Sequence, residues 1–256
     1  MVSLFKGIYS DEQTLTLKKT FSDLMSPTGR LRDLDVYLLD RKNYFGLLPK
    51  SLHDGLTIMF NLFEIERNKQ LKLISKHLKS SAYNKSISRL HALFSGSDDL
   101  QPGANAGHSA FIYARELIWK RYRKVCKIAR AINPDTPDSE VHELRIHCKK
   151  LRYLMEFFSP MFPLNEIKNL IKALKRLQDN LGLFNDYSVQ QESLQEFILT
   201  HASKGRKQDI SVAKSVGALI AMLYQKQLEE RAKVISNFQI FDSLTTQQQF
   251  QKLFNI

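Results

Sequence analysis

Apolar residues recur at helical spacing along almost the whole of this chain. In VHELRIHCKKLRYLMEFF (141–158), Val141, Leu144, Cys148, Leu151, Leu154, Met155 and Phe158 fill one arc of a helix drawn at about 100° per residue. Strand-type alternation is hard to find, and the 10 glycines and 7 prolines gather at breaks. The pattern predicts helices over 10–25, 30–41, 51–79, 82–95, 108–132, 139–158, 164–181, 185–203, 206–236 and 243–254, hence an all-α fold. SPTG (26–29), FGLLP (45–49) and NPDTPDS (133–139) supply breaks between them. The most loop-like stretch, SGSDDLQPGANAG, makes 95–107 a linker between a first half, 1–94, and a second half, 108–256.

The halves look related. GRLRDLDV (29–36) and GLFNDYSV (182–189) share Gly, Asp and Val in register, at an offset of 182 − 29 = 153. The same offset sets Leu170, Leu174 and Leu177 on Leu17, Phe21 and Leu24, and LMEFF (154–158) on MVSLF (1–5). Duplicated helical units predict two pseudo-symmetric antiparallel bundles. The first-half counterpart of VHELRIHCKKLRY would fall before Met1.

Charge changes the picture. The formal net charge is +12 and the pI about 9.6, a balance that favours polyanionic partners. Residues 111–180 hold 15 Lys+Arg against 8 Asp+Glu, so 15 − 8 = +7 of that excess sits in about a quarter of the chain. His142, Arg145, Lys149, Arg152 and Glu156 fall within about 80° on the helix, away from its apolar arc. Lys168, Lys172, Lys175 and Asp179 repeat the device over about 60°, away from Leu170, Leu174, Leu177 and Leu181. Lys120, Arg123, Lys124 and Lys127 do so again, aligned with Tyr113 and Glu116 and opposite Trp119, Tyr122, Cys126 and Ala129. Like charges at these spacings cost a few tenths of a kcal/mol each. Three such rows on successive helices predict a basic central pore or groove whose strain a polyanion relieves. Each row taken alone also fits an ordinary solvated face.

The residues now carry a resemblance. HELRIHCKKLRYLMEFF followed by LKRLQDNLGLFNDYSV resembles the second half of the CHAD domain, the conserved-histidine α-helical domain, and GRLRDLDVYLLD resembles its first-half motif. The resemblance runs over about 10–254. It implies two bundle-like halves around a basic pore or groove that binds inorganic polyphosphate without catalysis. Matched position by position, His142, Arg145, Lys149, Lys150, Arg152 and Tyr153 fall on the histidine helix, and Gln178, Gly182 and Asp186 on the turn motif after it. Arg30, Arg32, Asp33 and Asp35 fall on the first-half motif, with Asp33 and Asp186 expected to cap a helix or hold a basic neighbour. Lys120, Arg123, Lys127, Lys168, Lys172, Lys175 and Arg67 complete the expected polyphosphate lining, and Arg32 is the favoured first-half contact, replaced by Asn185 in the second half. The family's first histidine helix has no counterpart here, which leaves the first bundle to be completed by a preceding segment or by a second copy of the chain.

Other chemistry is thinly represented. EIERNK (64–69) is a near miss to the Glu-x-Glu-x-Lys strand of the CYTH triphosphatases that accompany CHAD domains, but its surroundings read as a helix, with Glu64 and Glu66 solvating it. No nucleophile–base pair, P-loop or metal motif is found, so no enzyme, cofactor or metal is expected. Cys126 and Cys148, the only cysteines, read as reduced structural thiols. No apolar run suits a membrane span or a secretory signal, which points to the cytoplasm, and the resemblance implies an association with polyphosphate granules there. Nucleic acid at low salt is the rival partner, weakened by Trp119 and Tyr122 being assigned to the core. A divalent-metal or phosphate-binding scaffold is the other alternative.

Overall fold

A computed structural model describes residues 4–96, 100–201 and 207–255. Residues 97–99 of the expected linker, 202–203 and 206 of the expected helices, and 1–3 of the offset partner MVSLF lie outside the described residues. The fold is all-α: α1 (Asp11–Met25), α2 (Gly29–Leu39), α3 (Arg41–Leu47), α4 (His53–Leu78), α5 (Ser81–Ser95), α6 (Ala110–Ala131), α7 (Asp138–Phe158), α8 (Leu164–His201), α9 (Lys207–Ala232), α10 (Val234–Phe241) and α11 (Leu244–Phe254). The single β feature among the described residues is an isolated bridge between Tyr9 and Pro102. Helix starts are set by local chemistry. Ser10, Ser80 and Ser243 each accept a hydrogen bond from the backbone N–H three residues on, satisfying a first-turn donor.

The chain divides into two compact units, Met1–Gly107 with Leu194–Met222, and His108–Ser193 with Leu223–Ile256. In the first unit α2 packs on α4 and α1 on α5. Its core gathers Leu34, Tyr37, Tyr44, Leu56, Met59, Phe60 and Phe63, all at most 4% exposed. The sequence division places 194–222 with the second half. In the structure these residues group with the first unit: the Phe197 ring meets Phe63 edge-on at 5.2 Å, and the Ser215 hydroxyl donates to the Leu52 carbonyl at 2.7 Å. Close packing of α4 against α9 requires the glycine at 55, where a Cβ would collide with the Ser211 carbonyl and the Ser215 hydroxyl.

The second unit is built on α6 against α7 and α11 against α6. All seven residues of the apolar arc of α7 are buried. Ile118 and Val125 of α6, which packs on α7, and Leu170, Leu174, Leu177 and Leu181 of α8 are fully buried as well, apolar surface whose removal from water stabilises the unit. Both cysteines are free and buried, and burial pushes the Cys126 thiol up to about 12 and the Cys148 thiol higher still.

The helices depart from the sequence reading in three places: α3 (Arg41–Leu47) runs into the expected break FGLLP, the single helix expected over 206–236 is divided at Lys233 into α9 and α10, and the break expected after 181 is absent. The helices expected over 164–181 and 185–203 are one helix, α8. Gly182 costs the helix about 1 kcal/mol relative to alanine, yet buried Leu181 and Phe184 on either side hold the turn in place. In the first half the equivalent stretch does break. Pro27 opens a 3-10 turn, Ser26–Thr28, between α1 and α2, because it has no N–H to continue the ladder. The offset pairs keep their burial only in part: Leu17 is buried like Leu170, but Phe21 is 37% exposed where Leu174 is fully buried.

Candidate functional site

The basic row of α7 faces α8. The five-residue connection 159–163 and the contact between His142 and Asn185 make the two helices antiparallel neighbours. The start of α7 is fixed by Asp138, which accepts from Gln227 and Arg231 of α9. Asn185 Nδ2 donates to Asp186 Oδ1 at 3.4 Å, which orients its Oδ1 toward His142 Nδ1 at 2.6 Å. Nδ1 therefore carries the proton, and Nε2 has no partner among the described residues. Arg145 Nη2 lies 3.8 Å from Asp186 Oδ1. Lys149 and Arg152 both sit over the Tyr153 ring, at 5.8 and 5.6 Å from its centroid. Arg152 Nε is 3.3 Å from Glu156 Oε1, an ion pair whose geometry misses hydrogen-bond alignment.

Asp186 and Asp33 cap no helix. Each lies inside one, since α8 begins at Leu164 and α2 follows Thr28. Asp186 instead anchors Arg145, and Asp33 adds to the field that favours the charged Arg30. Asn185, read from the sequence as a lost arginine, is the residue that fixes the tautomer of His142.

Along α8 the row Lys168, Lys172 and Lys175 is exposed and has no ion pair among the described residues. At about 100° per residue, Gly182 and Asp186 continue the same line. The α6 row points away from its buried side: Lys120, Arg123 and Lys127 are exposed and line two open depressions around Trp119. Trp119 is partly exposed, not a core residue, whereas Tyr122 is buried as expected and Tyr113, expected on the open face, is buried too. Lys150 is partly exposed on the α6-facing side of α7, close enough to bear on the charge of His147.

A second cluster, absent from the sequence reading, joins α6 to α7. Arg121 Nη1 donates to His147 Nδ1 at 2.7 Å, Glu143 Oε1 lies 3.4 Å from His147 Nε2, and Lys124 Nζ lies 3.4 Å from the same Glu143 oxygen. The Glu143–His147 spacing of one helical turn was visible in the sequence, but the partners from α6 were not. Burial, then Arg121 and Lys124, depress the imidazole pKa against the pull of Glu143. The unfolded chain then binds the His147 proton at a higher pH than the folded one. Stability from this site is complete above the ordinary histidine pKa of about 6.5 and is lost as pH falls through the lower folded value. Urea unfolding between pH 7.5 and 5 is expected to show this loss, and His147→Gln, which keeps an acceptor for Arg121, is expected to flatten that part of the profile. Parallel profiles for the two proteins would show that His147 does not carry it.

In the first unit two of the three expected arginines are already neutralised. Arg30 makes a two-pronged bond to Glu66, 2.8 Å on each side, which raises its own pKa and lowers that of Glu66. Arg67 Nε is 2.6 Å from Asp35 Oδ1, and Arg41 pairs with Glu64 at 3.0 Å. Glu64 and Glu66 thus bind arginines across α2, α3 and α4 and do not merely solvate their helix. Arg32 is exposed, with no hydrogen bond or ion pair among the described residues.

Among the described residues no cluster of three His, Cys, Asp or Glu could hold a metal ion, and no helix is long and apolar enough to cross a membrane. No curated protein matches the chain. The order of the histidine helix, the long helix after it and the buried arcs beneath them agrees with a match to the CHAD domain model over residues 1–195. The chain therefore belongs to the CHAD domain family, which is associated with polyphosphate binding.

Proposed function

We propose that the chain binds inorganic polyphosphate, without catalysis, through the cationic rows of its second unit. The observation that carries this reading is that Lys149, Lys168, Lys172 and Lys175 stand exposed on two adjacent antiparallel helices with no ion pair among the described residues. A protein that used these lysines only for solubility would gain by interspersing carboxylates among them, since like-charge neighbours repel. Polyphosphate carries about one negative charge per unit and presents little shape to read, so a wall of separated ammonium and guanidinium groups suits it in many registers. Arg145 and Arg152, each touching a single carboxylate, and the unpartnered Nε2 of His142 add donors along the same edge. The lysines and arginine of α6 extend the positive field, and Arg32 offers a separate contact in the first unit. Arg30 and Arg67 contribute only where phosphate displaces Glu66 and Asp35.

The test is a titration at ~150 mM salt with long-chain polyphosphate, single-stranded RNA and duplex DNA. Polyphosphate is expected to win by at least ~10-fold. Binding should weaken linearly in the logarithm of salt concentration as counterions are released. The combined Arg145, Lys149 and Arg152→Ala variant is expected to lose most of that advantage while keeping its helical circular dichroism. Equal affinity for RNA, or an unchanged advantage in the folded variant, would sink the reading.

A further inference from the structure

The trough between α6 and α11 has a different chemistry from the lysine rows. Its lining includes Trp119, Arg123, Lys127 and Arg130 of α6 and Gln247 and Gln251 of α11. Trp119 is the only tryptophan in the chain. Its ring centroid lies 5.6 Å from that of Tyr122, tilted by 32°, and Tyr122 is stacked flat on Phe250 at 3.9 Å and 6°. The three rings form a pile that begins in the core and ends at a partly exposed indole. Among the described residues no cation covers that indole, although five basic side chains border the two depressions beside it.

The polar groups around the pile are arranged with some left over. Asp242 accepts from Arg130 through Nε at 3.1 Å and Nη2 at 2.8 Å, and from the Tyr122 hydroxyl at 3.4 Å. It thereby holds one edge of the Arg130 guanidinium and leaves the other edge free. Arg123 and Lys127 are exposed and have no ion pair among the described residues. Gln247 Nε2 donates to the Asp242 carbonyl at 2.8 Å, which leaves its Oε1 as an oriented acceptor. The exposed Gln251 amide keeps both its donor and its acceptor.

We infer that this trough is a nucleotide site. The base adds a fourth ring to the pile on Trp119, Gln247 and Gln251 meet its edge, and Arg123, Lys127 and Arg130 hold its phosphates. Polyphosphate has no group that can use an indole, so an aromatic surface amid these cations is chemistry the polymer reading leaves idle. Stacking of a base on an aromatic side chain, with bidentate phosphate capture by arginine, is how proteins hold nucleotides of any sequence. Free nucleotides and single-stranded RNA both present this chemistry. The inference is independent of the lysine rows on α7 and α8 and shares with the polyphosphate reading only Arg123 and Lys127.

The experiment uses the full chain and three probes without divalent metal: ATP, tripolyphosphate and a hexa-adenylate. Tripolyphosphate matches or exceeds the charge of ATP and lacks the base. ATP is expected to quench Trp119 fluorescence saturably and, by calorimetry, to bind roughly tenfold tighter than tripolyphosphate, as one stacked base provides. Hexa-adenylate binding tighter than ATP assigns the site to a strand, and the reverse assigns it to free nucleotide. Gln251→Ala should weaken ATP several-fold and leave tripolyphosphate unchanged. Trp119→Leu should erase the preference for ATP. If that variant fails to fold, Arg123→Ala with Lys127→Ala should weaken both ligands in parallel. Lys149, Lys168, Lys172 and Lys175→Glu, which removes the proposed polyphosphate rows, should still show the tenfold preference for ATP. Equal binding of ATP and tripolyphosphate, or ATP binding that leaves Trp119 emission unchanged, overturns the inference without touching the polyphosphate reading.

Discussion

Reversing Lys149, Lys168, Lys172 and Lys175 together to glutamate is expected to lower polyphosphate affinity by about a thousandfold. Each exposed cation contributes ~0.5 kcal/mol to an ion pair, and reversal replaces that attraction with a repulsion of similar size, so ~1 kcal/mol is lost per site. Four sites give ~4 kcal/mol, or about three decades in Kd. The logarithmic salt slope should shrink by about 3, since each phosphate contact on a flexible strand accounts for ~0.7. The fold should tolerate the change. All four side chains are exposed, so the change buries no charge. The control changes net charge by the same amount elsewhere. Lys69, Lys72, Lys76 and Lys79, exposed on and just after α4, become glutamate in a second variant, which is expected to lose less than tenfold. Equal losses in the two variants would mean that polyphosphate responds to the overall charge of the chain and that no particular rows hold it.

How much of this was legible beforehand depended on the range of the interaction involved. The arc of α7 was read correctly at every one of its seven buried positions, because helical period and apolarity fix which side of a helix meets the core. The exposed rows of α8 and α6 followed from the same arithmetic. The continuity of α8 through Gly182 did not: whether a glycine ends a helix depends on what its neighbours pack against, and the burial of Leu181 and Phe184 is a tertiary property that no local pattern displays. Trp119 fell on the core side of the wheel by angle, yet it lies at the edge of the buried arc, where α11 leaves it partly open. Charge pairing was the least legible feature. Glu66 and Arg30 are 36 residues apart, and Asp242 and Arg130 are 112 apart, so nothing local marks either pair. Pairing decides which cations remain free for a polyanion, and for that reason the sequence could propose Arg30, Arg32 and Arg67 together while the structure separates Arg32 from the other two.

Phe250→Ala is expected to destabilise the second unit by ~3–5 kcal/mol, the usual range for emptying a buried aromatic site. Phe250 is fully buried, lies flat on Tyr122 at 3.9 Å, and meets Phe241 and Phe254 at 6.1 and 5.6 Å. Removing its ring takes the central contact from the α6–α11 packing and leaves a cavity that Tyr122 cannot fill, because its hydroxyl is tied to Asp242. A loss of this size is a large share of the 5–15 kcal/mol that typically separates folded from unfolded chains. The two units need not unfold together, so a whole-chain signal would blur the effect. Trp119 resolves it: as the only tryptophan, and part of the second unit, its emission follows that unit alone. In urea the Trp119 midpoint is expected to fall sharply. The emission should also shift to the red before global unfolding, because α11 is held to α6 through the very pile in which Trp119 is the outermost ring. Phe94→Ala, at a site 49% exposed in the first unit, should leave the Trp119 midpoint where it was. A Phe250→Ala midpoint shift worth less than ~1 kcal/mol would show that α11 is held by its polar contacts, chiefly the Asp242 cluster and the Arg115 bonds to the Leu253 and Asn255 carbonyls, and that the ring pile is a consequence of the packing and not its cause.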